Sequence, residues 1–591
     1  MKKKFFTLAS LGAVAFSLTV CTSNPASAAE KTLDEIKAEI RAQYGENKPI
    51  TDGNYDKSLA VKCINGTFVG KKTDNIIAYK GIPFVGKQPV GELRWKAPVD
   101  FEPDEGVYEA YYNGKSPYQV EDSSEGGSLY VQGEDCLYLD IWKADDSAKK
   151  KPVMVWIHGG GFEGGGTADP LYECSNLVKE NPEIIAVSIA YRVGFFGFLH
   201  LSHLPDGKDY PDAQNLGLMD QMMALKWIHE NIANFGGDPD NVTLFGESAG
   251  GESVTTLPLI EGSQKYFKRV IAQSGNPVLT RSIEQSISDT NELMGMLGCK
   301  TVADLQKLDV EKFLEAIHAF GMRIGPERDG KYLLLDPYEA YANGAVKDID
   351  ILQGCNKDEL NYFMVIAGGA EPFIKSYNER LAKNITQLTD KEKALVESFC
   401  NDVKGESYEP LCRLYNQIWF IAPMFRLTEN HVKAGGKSYN YYFTVESSLP
   451  LMKSGHAVEI ASVLNHPENT QFTGRAFDET FSKTMRKMWI QFAKTGNPSL
   501  SAEISPDGKA HEWPLYNLED KEFMVFDEFN IHTEKESKLK LLDWERCYFL
   551  TKYYCLQLFF NHNPLRPHFV AFGVLRDRPP PLSGAARVLK K

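Results

Sequence analysis

Residues 242–250 spell VTLFGESAG, an apolar run that leads directly into a Gly-Glu-Ser-Ala-Gly turn. The run from Val242 to Phe245 predicts a buried strand, and a helical pattern opens after Ser248. Glycine two positions before and two positions after the serine keeps a tight strand-to-helix bend free of clashes. We therefore predict a nucleophile elbow with Ser248 at a helix N-terminus, where the positive potential stabilises a developing oxyanion.

The sequence around this motif alternates short apolar runs with amphipathic stretches, from about Leu33 to Cys555. Such alternation is typical of an α/β sheet protein. Buried strands are predicted at 153–157, 184–190, 242–245, 270–273 and 349–352. One helical face is predicted from the spacing of Leu218, Met222, Leu225, Ile228, Ile232 and Phe235. We expect this helix to end at Gly236-Gly237 and Asp238-Pro239 to turn the chain into the next strand.

A glycine loop, His158-Gly159-Gly160-Gly161-Phe162, directly follows the predicted strand 153–157. Consecutive glycines allow backbone N–H groups to turn toward a substrate carbonyl. We predict that the N–H groups of Gly160 and Gly161, with that of Ala249, form an oxyanion hole. His158 and Phe162 are expected to line the site beside this loop.

The same loop also matches the G-x-G-x-x-G pattern, through Gly159, Gly161 and Gly164. Dinucleotide binding requires a helix to start at once, so that its N-terminus meets the pyrophosphate. Here residues 164–170, GGGTADP, continue as a loop, and the nearest acidic candidate, Glu183, precedes a strand instead of following one. We therefore expect no nucleotide cofactor, and no cofactor of another kind.

Charge and composition narrow the class of protein further. The 591 residues are 43% hydrophobic and 24% charged, with a formal net charge of −14. This acidity argues against a nucleic-acid partner. The C-terminal residues 556–591 differ, with four Arg, two Lys and one Asp. They predict a basic, flexible tail without a role in the chemistry, with a membrane-surface or partner-binding role as the alternative.

The N-terminal residues 1–29 are typical of a signal peptide. Three lysines follow Met1, an apolar stretch runs from Phe5 to Val20, and Ala26-Ser27-Ala28 fits a cleavage site. The apolar stretch is too short for a stable membrane span. We expect an exported protein that starts near Ala29 or Glu30, and a lipid anchor on Cys21 is the alternative.

The ten cysteines form no CxxC pair and no cluster with metal-ligand spacing, and the HExxH motif is absent. We therefore expect no metal site. Export permits disulfides, and Cys400 with Cys412 is the pair that the spacing favours. Buried free thiols are the equal alternative.

Longer motifs identify a family. The chain resembles the type-B carboxylesterase/cholinesterase family over roughly residues 55 to 550, in the glycine loop and at 133–142, 215–221, 235–239, 492–498, 513–515 and 546–549. The resemblance implies an α/β-hydrolase fold, with a central mostly parallel sheet flanked by helices. It further implies one catalytic domain, residues 30–555, that hydrolyses small-molecule carboxylic esters.

The resemblance also supplies the other members of a catalytic triad. Residues 354–359, GCNKDE, are similar to the segment that carries the family's acid, which implies Glu359. The family usually has glycine next, where this chain has Leu360, and Asp358 is the neighbouring carboxylate that could replace Glu359. Residues 455–460, GHAVEI, imply His456 as the general base. Glu247, beside the serine, is expected to face the site or to be a buried structural acid.

Two ion pairs, Arg94 with Glu134 and Arg192 with Asp220, resemble structural pairs of the family. Specificity for choline esters is not expected, because the segment 116–133 contains Tyr118 and Tyr130 but no tryptophan. The family's disulfide partner of Cys136 is missing from this segment as well. The remaining alternatives are a lipase for longer-chain glycerides and a non-catalytic binding relative.

Overall fold

The computed structural model describes residues 44–119, 131–320, 324–334, 336–375, 389–403 and 405–542, together with 38, 41 and 42. The predicted signal peptide and the basic tail lie outside these residues. The strands are β1 Ala60–Cys63, β2 Asn65–Val69, β3 Lys71–Thr73, β4 Ile76–Pro83, β5 Asp104–Glu109, β6 Tyr138–Ala144, β7 Lys151–Ile157, β8 Ile185–Ile189, β9 Gly237–Glu247, β10 Arg269–Gln273, β11 Asp350–Asn356, β12 Ser438–Phe443, β13 Glu522–Asp527 and β14 Asn530–Lys535.

Helices connect most of the strands. They are α1 Ser175–Glu180, α2 Gly194–Gly197, α3 Leu216–Asn231, α4 Ala249–Thr256, α5 Ile283–Leu297, α6 Val302–Gln306, α7 Val310–Phe320, α8 Pro337–Ala342, α9 Leu360–Ile366, α10 Asp390–Asp402, α11 Glu409–Asn416, α12 Ala422–Lys433, α13 Ile460–Leu464 and α14 Glu479–Thr495. A π-helical turn, Gln417–Ile421, joins α11 to α12.

Eleven strands form one large sheet in the order β14-β13-β12-β11-β10-β9-β7-β8-β6-β4-β3. The strands from β13 to β8 in this order are parallel, and antiparallel strands complete both edges. A small second sheet has the order β1-β2-β5. Parallel strands are covered on both faces, so their sequences are apolar throughout. This architecture is the predicted central, mostly parallel sheet.

The two faces of the sheet belong to separate hydrophobic clusters. Successive side chains of a strand point to opposite faces. In β7, Val153 and Val155 pack on the same side as Trp227 of α3, whereas Trp156 packs on the opposite side with Trp489 of α14. Each aromatic side chain is fully buried. The sheet is therefore held between helices, and its carboxyl edge is fixed relative to both layers.

Each predicted strand corresponds to an observed one, although the predictions 184–190 and 349–352 begin one residue before β8 and β11, and the first also ends one residue after β8. The predicted helix is α3 followed by a 3₁₀ turn. Gly236 ends that turn with φ of 96°, a left-handed conformation that suits glycine. The expected turn at Asp238-Pro239 is wrong. Gly237 already pairs with Lys151 of β7, which extends β9 backward through both residues.

The two predicted ion pairs are present. Arg94 Nε pairs with Glu134, and Arg192 Nη2 lies 2.7 Å from Asp220 Oδ1 in full burial. Of the two alternatives for the cysteines, the described residues favour free thiols. Cys412, one cysteine of the predicted pair, is a buried free thiol, and so is Cys136.

Candidate active site

Ser248 occupies the sharp turn between β9 and α4. Its φ of 57° and ψ of −121° lie outside the regions that side chains ordinarily adopt. The flanking glycines explain how the turn closes. A Cβ on Gly246 would lie 2.6 Å from the carbonyl oxygen of Ile157, and one on Gly250 would overlap that oxygen. The strained turn therefore requires both glycines, and it raises Ser248 above the carboxyl edge of the sheet.

The glycine loop follows β7, the neighbour of β9 in the sheet. Gly160 and Gly161 have φ of 106° and 62°, and a side chain on Gly160 would overlap the carbonyl of Gly164. A Cβ on Gly159 would lie 3.2 Å from the Cβ of Ser248. The structure thus brings the predicted oxyanion donors beside the predicted nucleophile, with Ala249 as the first residue of α4.

His158 lies beneath this loop and is fully buried. Its ring stacks on Tyr191 with centroids 4.4 Å apart, and its Nδ1 lies 2.9 Å from the carbonyl oxygen of Gly159. Burial lowers the pKa of His158 to about 4. A neutral imidazole that packs beneath the loop supports the position of the glycines. His158 was predicted to line the site. It lies next to the site, where it packs beneath the glycine loop.

His456 and Glu359 come from loops that follow two adjacent strands, β12 and β11. Nδ1 of His456 lies 2.6 Å from Oε2 of Glu359, although 97 residues separate them in the sequence. The side chain of Glu359 is completely buried, and that of His456 is 5% exposed. A hydrogen bond at Nδ1 fixes the ring orientation and leaves Nε2 to face the site.

Glu359 is itself held by two donors. The hydroxyl of Ser274 and the backbone N–H of Asn356 both donate to Oε1, each at 2.6 Å. Ser274 directly follows β10 and has φ of 50°, and its N–H donates to the carbonyl of Gly354 on β11. These two donors orient the carboxylate through Oε1, and Oε2 remains for the contact with His456.

Glu459 is a second buried acid in the same network. Gln273 and Asn356 donate their amide groups to its two oxygens at 2.9 and 2.7 Å. Burial raises the pKa of Glu459, and these two hydrogen bonds oppose that rise. Glu459 belongs to the histidine motif GHAVEI, and the sequence alone indicates no role for it. Ser274 and Asn356 were also missed, and their only signal is their position at strand ends.

Glu247 faces the opposite nitrogen of the histidine. Its Oε1 lies 3.0 Å from Nε2 of His456, but the two groups are not aligned as a hydrogen bond. Burial raises the pKa of Glu247 to about 8. Burial alone would lower the pKa of His456, but Glu247 and Glu359 outweigh it and raise that pKa to about 9. Of the two alternatives for Glu247, the structure therefore favours the one that faces the site.

No hydrogen bond or ion pair joins Asp358 to His456 in the described part of the chain; the histidine contacts Glu359 and Glu247 instead. Burial raises the pKa of Asp358, and the charges of Lys357 and Lys453 oppose that rise. The backbone N–H of Asp358 donates to the carbonyl of Ser454. Leu360, at the usual glycine position, is the first residue of α9 and is completely buried. Because this position has helical geometry, the backbone here does not require glycine.

Aromatic rings surround His456. The centroids of Phe363, Phe420 and Tyr362 lie 5.3, 5.3 and 5.8 Å from that of the imidazole. Phe420 belongs to the π-helical turn between α11 and α12, and such turns are frequent at functional sites. The histidine is therefore bordered by apolar surface. Tyr130 lies outside the described residues, and Tyr118 packs against Phe196.

Within the described ranges, no group of three or more His, Cys, Asp or Glu side chains could hold a metal ion. Among the helices of the same residues, none has the length and apolar character that a membrane crossing needs. A serine turn, a glycine loop and a histidine–glutamate pair share one edge of the sheet. Serine hydrolases of the α/β-hydrolase fold have this arrangement, and the chain falls in that class.

Comparison with known proteins specifies the family. Residues 57–543 match the carboxylesterase family. The chain is 34% identical to the para-nitrobenzyl esterase of Bacillus subtilis over 494 residues, which cover 80% of this chain and 96% of that protein. It is 30% identical to the cholinesterase of Mus musculus, over 83% of this chain and 84% of that one.

A solved structure agrees with these relatives. The carboxylesterase of Geobacillus stearothermophilus at pH 6.2 superposes with a TM-score of 0.72 and 32% identity, over 82% of this chain and 99% of that chain. The chain belongs to the carboxylesterase family. It is a carboxylic-ester hydrolase of the serine hydrolase class, as the sequence predicted.

Proposed function

We propose that the chain cleaves carboxylic esters through a triad of Ser248, His456 and Glu359. The observation that carries the proposal is the 2.6 Å contact between Nδ1 of His456 and the buried carboxylate of Glu359. Such a pair fixes the imidazole tautomer and stabilises the imidazolium that forms when the serine attacks. The nucleophile elbow supplies the serine at the same edge of the sheet.

The reaction follows from these positions. His456 Nε2 takes the proton of Ser248 while its oxygen attacks the ester carbonyl. The N–H groups of Gly160, Gly161 and Ala249 stabilise the oxyanion. The alcohol leaves with the proton from His456, and water activated by the same histidine then hydrolyses the acyl-enzyme. Ser248 Oγ has no hydrogen bond to the described residues, and such catalytic bonds often tighten only with substrate.

The aromatic border of the site supports a preference for apolar, uncharged esters. Phe363 and Phe420 both pack beside His456, where one arm of the substrate must lie. The alternative is a lipase that acts on longer-chain glycerides, which shares the chemistry and differs in the length of the acyl chain.

Covalent labelling tests the nucleophile. A fluorophosphonate should modify Ser248 in the native chain and leave the Ser248→Ala variant without a label in the same peptide. Rates with a series of nitrophenyl esters then separate the two substrate classes. A maximum at short acyl chains supports the carboxylesterase, and a steady rise toward long chains supports the lipase. Labelling at another residue with Ser248 intact would contradict the assignment.

We infer further that the protein is exported and that the mature chain, after removal of the signal peptide, begins near Ala29. The support is the order of lysines, apolar stretch and Ala26-Ser27-Ala28 in the first 29 residues. The N-terminal peptide of the exported protein, determined by mass spectrometry, tests this inference. A start at Ala29 or Glu30 agrees with a secreted, periplasmic or surface location. A lipid-modified Cys21 at the N-terminus would replace it with a membrane-anchored lipoprotein.

A further inference from the structure

A second serine–histidine–glutamate arrangement lies outside the active site. Nε2 of His200 lies 3.0 Å from the hydroxyl oxygen of Ser202, and its Nδ1 lies 2.8 Å from Oε2 of Glu327. No motif in the sequence indicates a role for these three residues. They come from the loop after α2 and from the segment 324–334, so that 127 residues separate the histidine from its acid.

The acid of this arrangement is firmly positioned. The side chain of Glu327 is 1% exposed, and that of His200 is 10% exposed. Asn215 holds the backbone of Glu327 from both sides, because its amide donates to the carbonyl and accepts from the N–H, each at 2.9 Å. The buried guanidinium of Arg281 adds electrostatic attraction to Glu327. The orientation of the imidazole is therefore imposed from the interior.

Ser202, by contrast, is exposed. It occupies a turn that the bond from Leu204 N–H to the Leu201 carbonyl closes at 3.0 Å. Within the described part of the chain, the N–H of His203 makes no hydrogen bond. At the active site the residue after the serine supplies an oxyanion donor, and His203 N–H has the same place in the sequence relative to Ser202. A nucleophile, a base and an acid thus meet at one exposed turn.

We propose that Ser202 is a second acylation site, which accepts the acyl group of small activated esters such as aryl acetates. His200 Nε2 takes the proton of Ser202 while Oγ forms a bond to the carbonyl carbon. The bond from that carbon to the aryl oxygen breaks, and the aryl oxide leaves with the electron pair. Glu327 stabilises the imidazolium, which then releases its proton to the solvent. An exposed turn encloses no acyl chain, so only esters with a good leaving group react.

The test uses the full chain with Ser248→Ala, which removes the main nucleophile and makes the outcome independent of the proposed active site. The protein is treated with p-nitrophenyl acetate, and acetylation is followed by peptide mass spectrometry. Ser58 is the matched control, since its exposed hydroxyl bonds the carboxylate of Asp56 and no histidine. We expect the peptide with Ser202 to gain one acetyl group about 100-fold faster than the peptide with Ser58.

Two further variants in the same background separate chemistry from exposure. Ser202→Ala should remove the acetyl group from this peptide, and His200→Gln should slow its addition about 100-fold, to the rate of Ser58. Circular dichroism verifies that both variants fold, and neither change lies at a completely buried position. Acetylation of Ser202 at the rate of Ser58, or at an unchanged rate in His200→Gln, would overturn the proposal.

Discussion

Nε2 of His456 and Oε1 of Glu247 lie 3.0 Å apart, with the side chains 5% and 4% exposed. On its other side, the same imidazole contacts Glu359. A histidine between two buried carboxylates gains a proton more readily than a free one, because each negative charge stabilises the imidazolium. Glu247, next to the proposed nucleophile in the sequence, therefore raises the basicity of the proposed general base, and Glu247 and His456 titrate as a coupled pair.

The Glu247→Gln variant should shift the pH profile of kcat/KM toward lower pH. The base must be neutral to accept a proton, so the acid limb of the profile reports its pKa. This pKa is raised to about 9 by Glu247 and Glu359 against the effect of burial. With one carboxylate removed, the limb should move down by about one pH unit or more.

Glu252→Gln is the matched control for this shift. Glu252 is also a buried glutamate close to Ser248 in sequence, but burial alone raises its pKa and His456 does not contribute. The acid limb of this control should coincide with that of the native enzyme. An unchanged limb in Glu247→Gln, or one that moves to higher pH, would contradict the proposed influence of Glu247 on the histidine.

Ser248→Ala should reduce the steady-state turnover of nitrophenyl esters by roughly 10⁶-fold, since the loss of a triad nucleophile has an effect of this size. Only one oxygen is removed, so thermal unfolding should be unchanged. Ser253→Ala serves as the control, because Ser253 is a buried serine of the same helix whose hydroxyl accepts from Gln221 at 3.1 Å. If Ser248→Ala retained substantial turnover, Ser248 would not be the nucleophile.

Glu359→Gln should reduce kcat by about 10⁴-fold, because an amide in place of the triad carboxylate favours the wrong imidazole tautomer. Asp358→Asn should have little effect on kcat, because Asp358 interacts electrostatically with Lys357 and Lys453 and not with His456. Both substitutions keep the side-chain volume, and circular dichroism checks their folding. If Asp358→Asn had the larger effect, the acid of the triad would be Asp358.

Much of the fold could be predicted because the deciding patterns are local. The bend at Ser248 requires glycines at 246 and 250, and buried parallel strands are apolar over their whole length. The start of β9 was missed because it depends on pairing between Gly237 and Lys151. The pairing register between distant strands has no local signal in the sequence. Here this pairing holds Asp238-Pro239 in a strand, although the two residues by themselves favour a turn.

The candidate site was only partly predictable for the same reason. The pairing of His456 with Glu359 came from family resemblance, since nothing within either segment encodes a contact across 97 residues. The direction of Glu247, and the support of Glu359 by Ser274, depend on how three strand ends meet. Leu360 stands where the family usually has glycine, and a departure from the backbone of the family was therefore conceivable. The first residue of a helix can be leucine as well as glycine, so the substitution leaves the acid in place.

The last prediction concerns stability. Glu252 is a buried acid on α4, and its Oε1 has no hydrogen-bond partner among the described residues. Burial raises its folded-state pKa to about 8, whereas 4.5 is the value of an unperturbed glutamate. Below pH 4.5 the group is protonated in both states. Between pH 4.5 and 8 the unfolded chain ionises while the folded chain holds its proton, so the free energy of unfolding falls as pH rises.

Glu252→Gln should remove this loss, since the amide has the same shape and does not titrate. Each pKa unit corresponds to about 1.4 kcal/mol, so the variant should gain on the order of 4 kcal/mol relative to the native chain between pH 4.5 and 8. Urea unfolding at several pH values measures the gain. Glu230→Gln, at an exposed position of α3, is the control and should follow the native curve. If the free energies of unfolding of Glu252→Gln and the native chain changed in parallel across this pH window, Glu252 would have the same pKa in the folded and unfolded states. Its burial would then not reduce stability as pH rises.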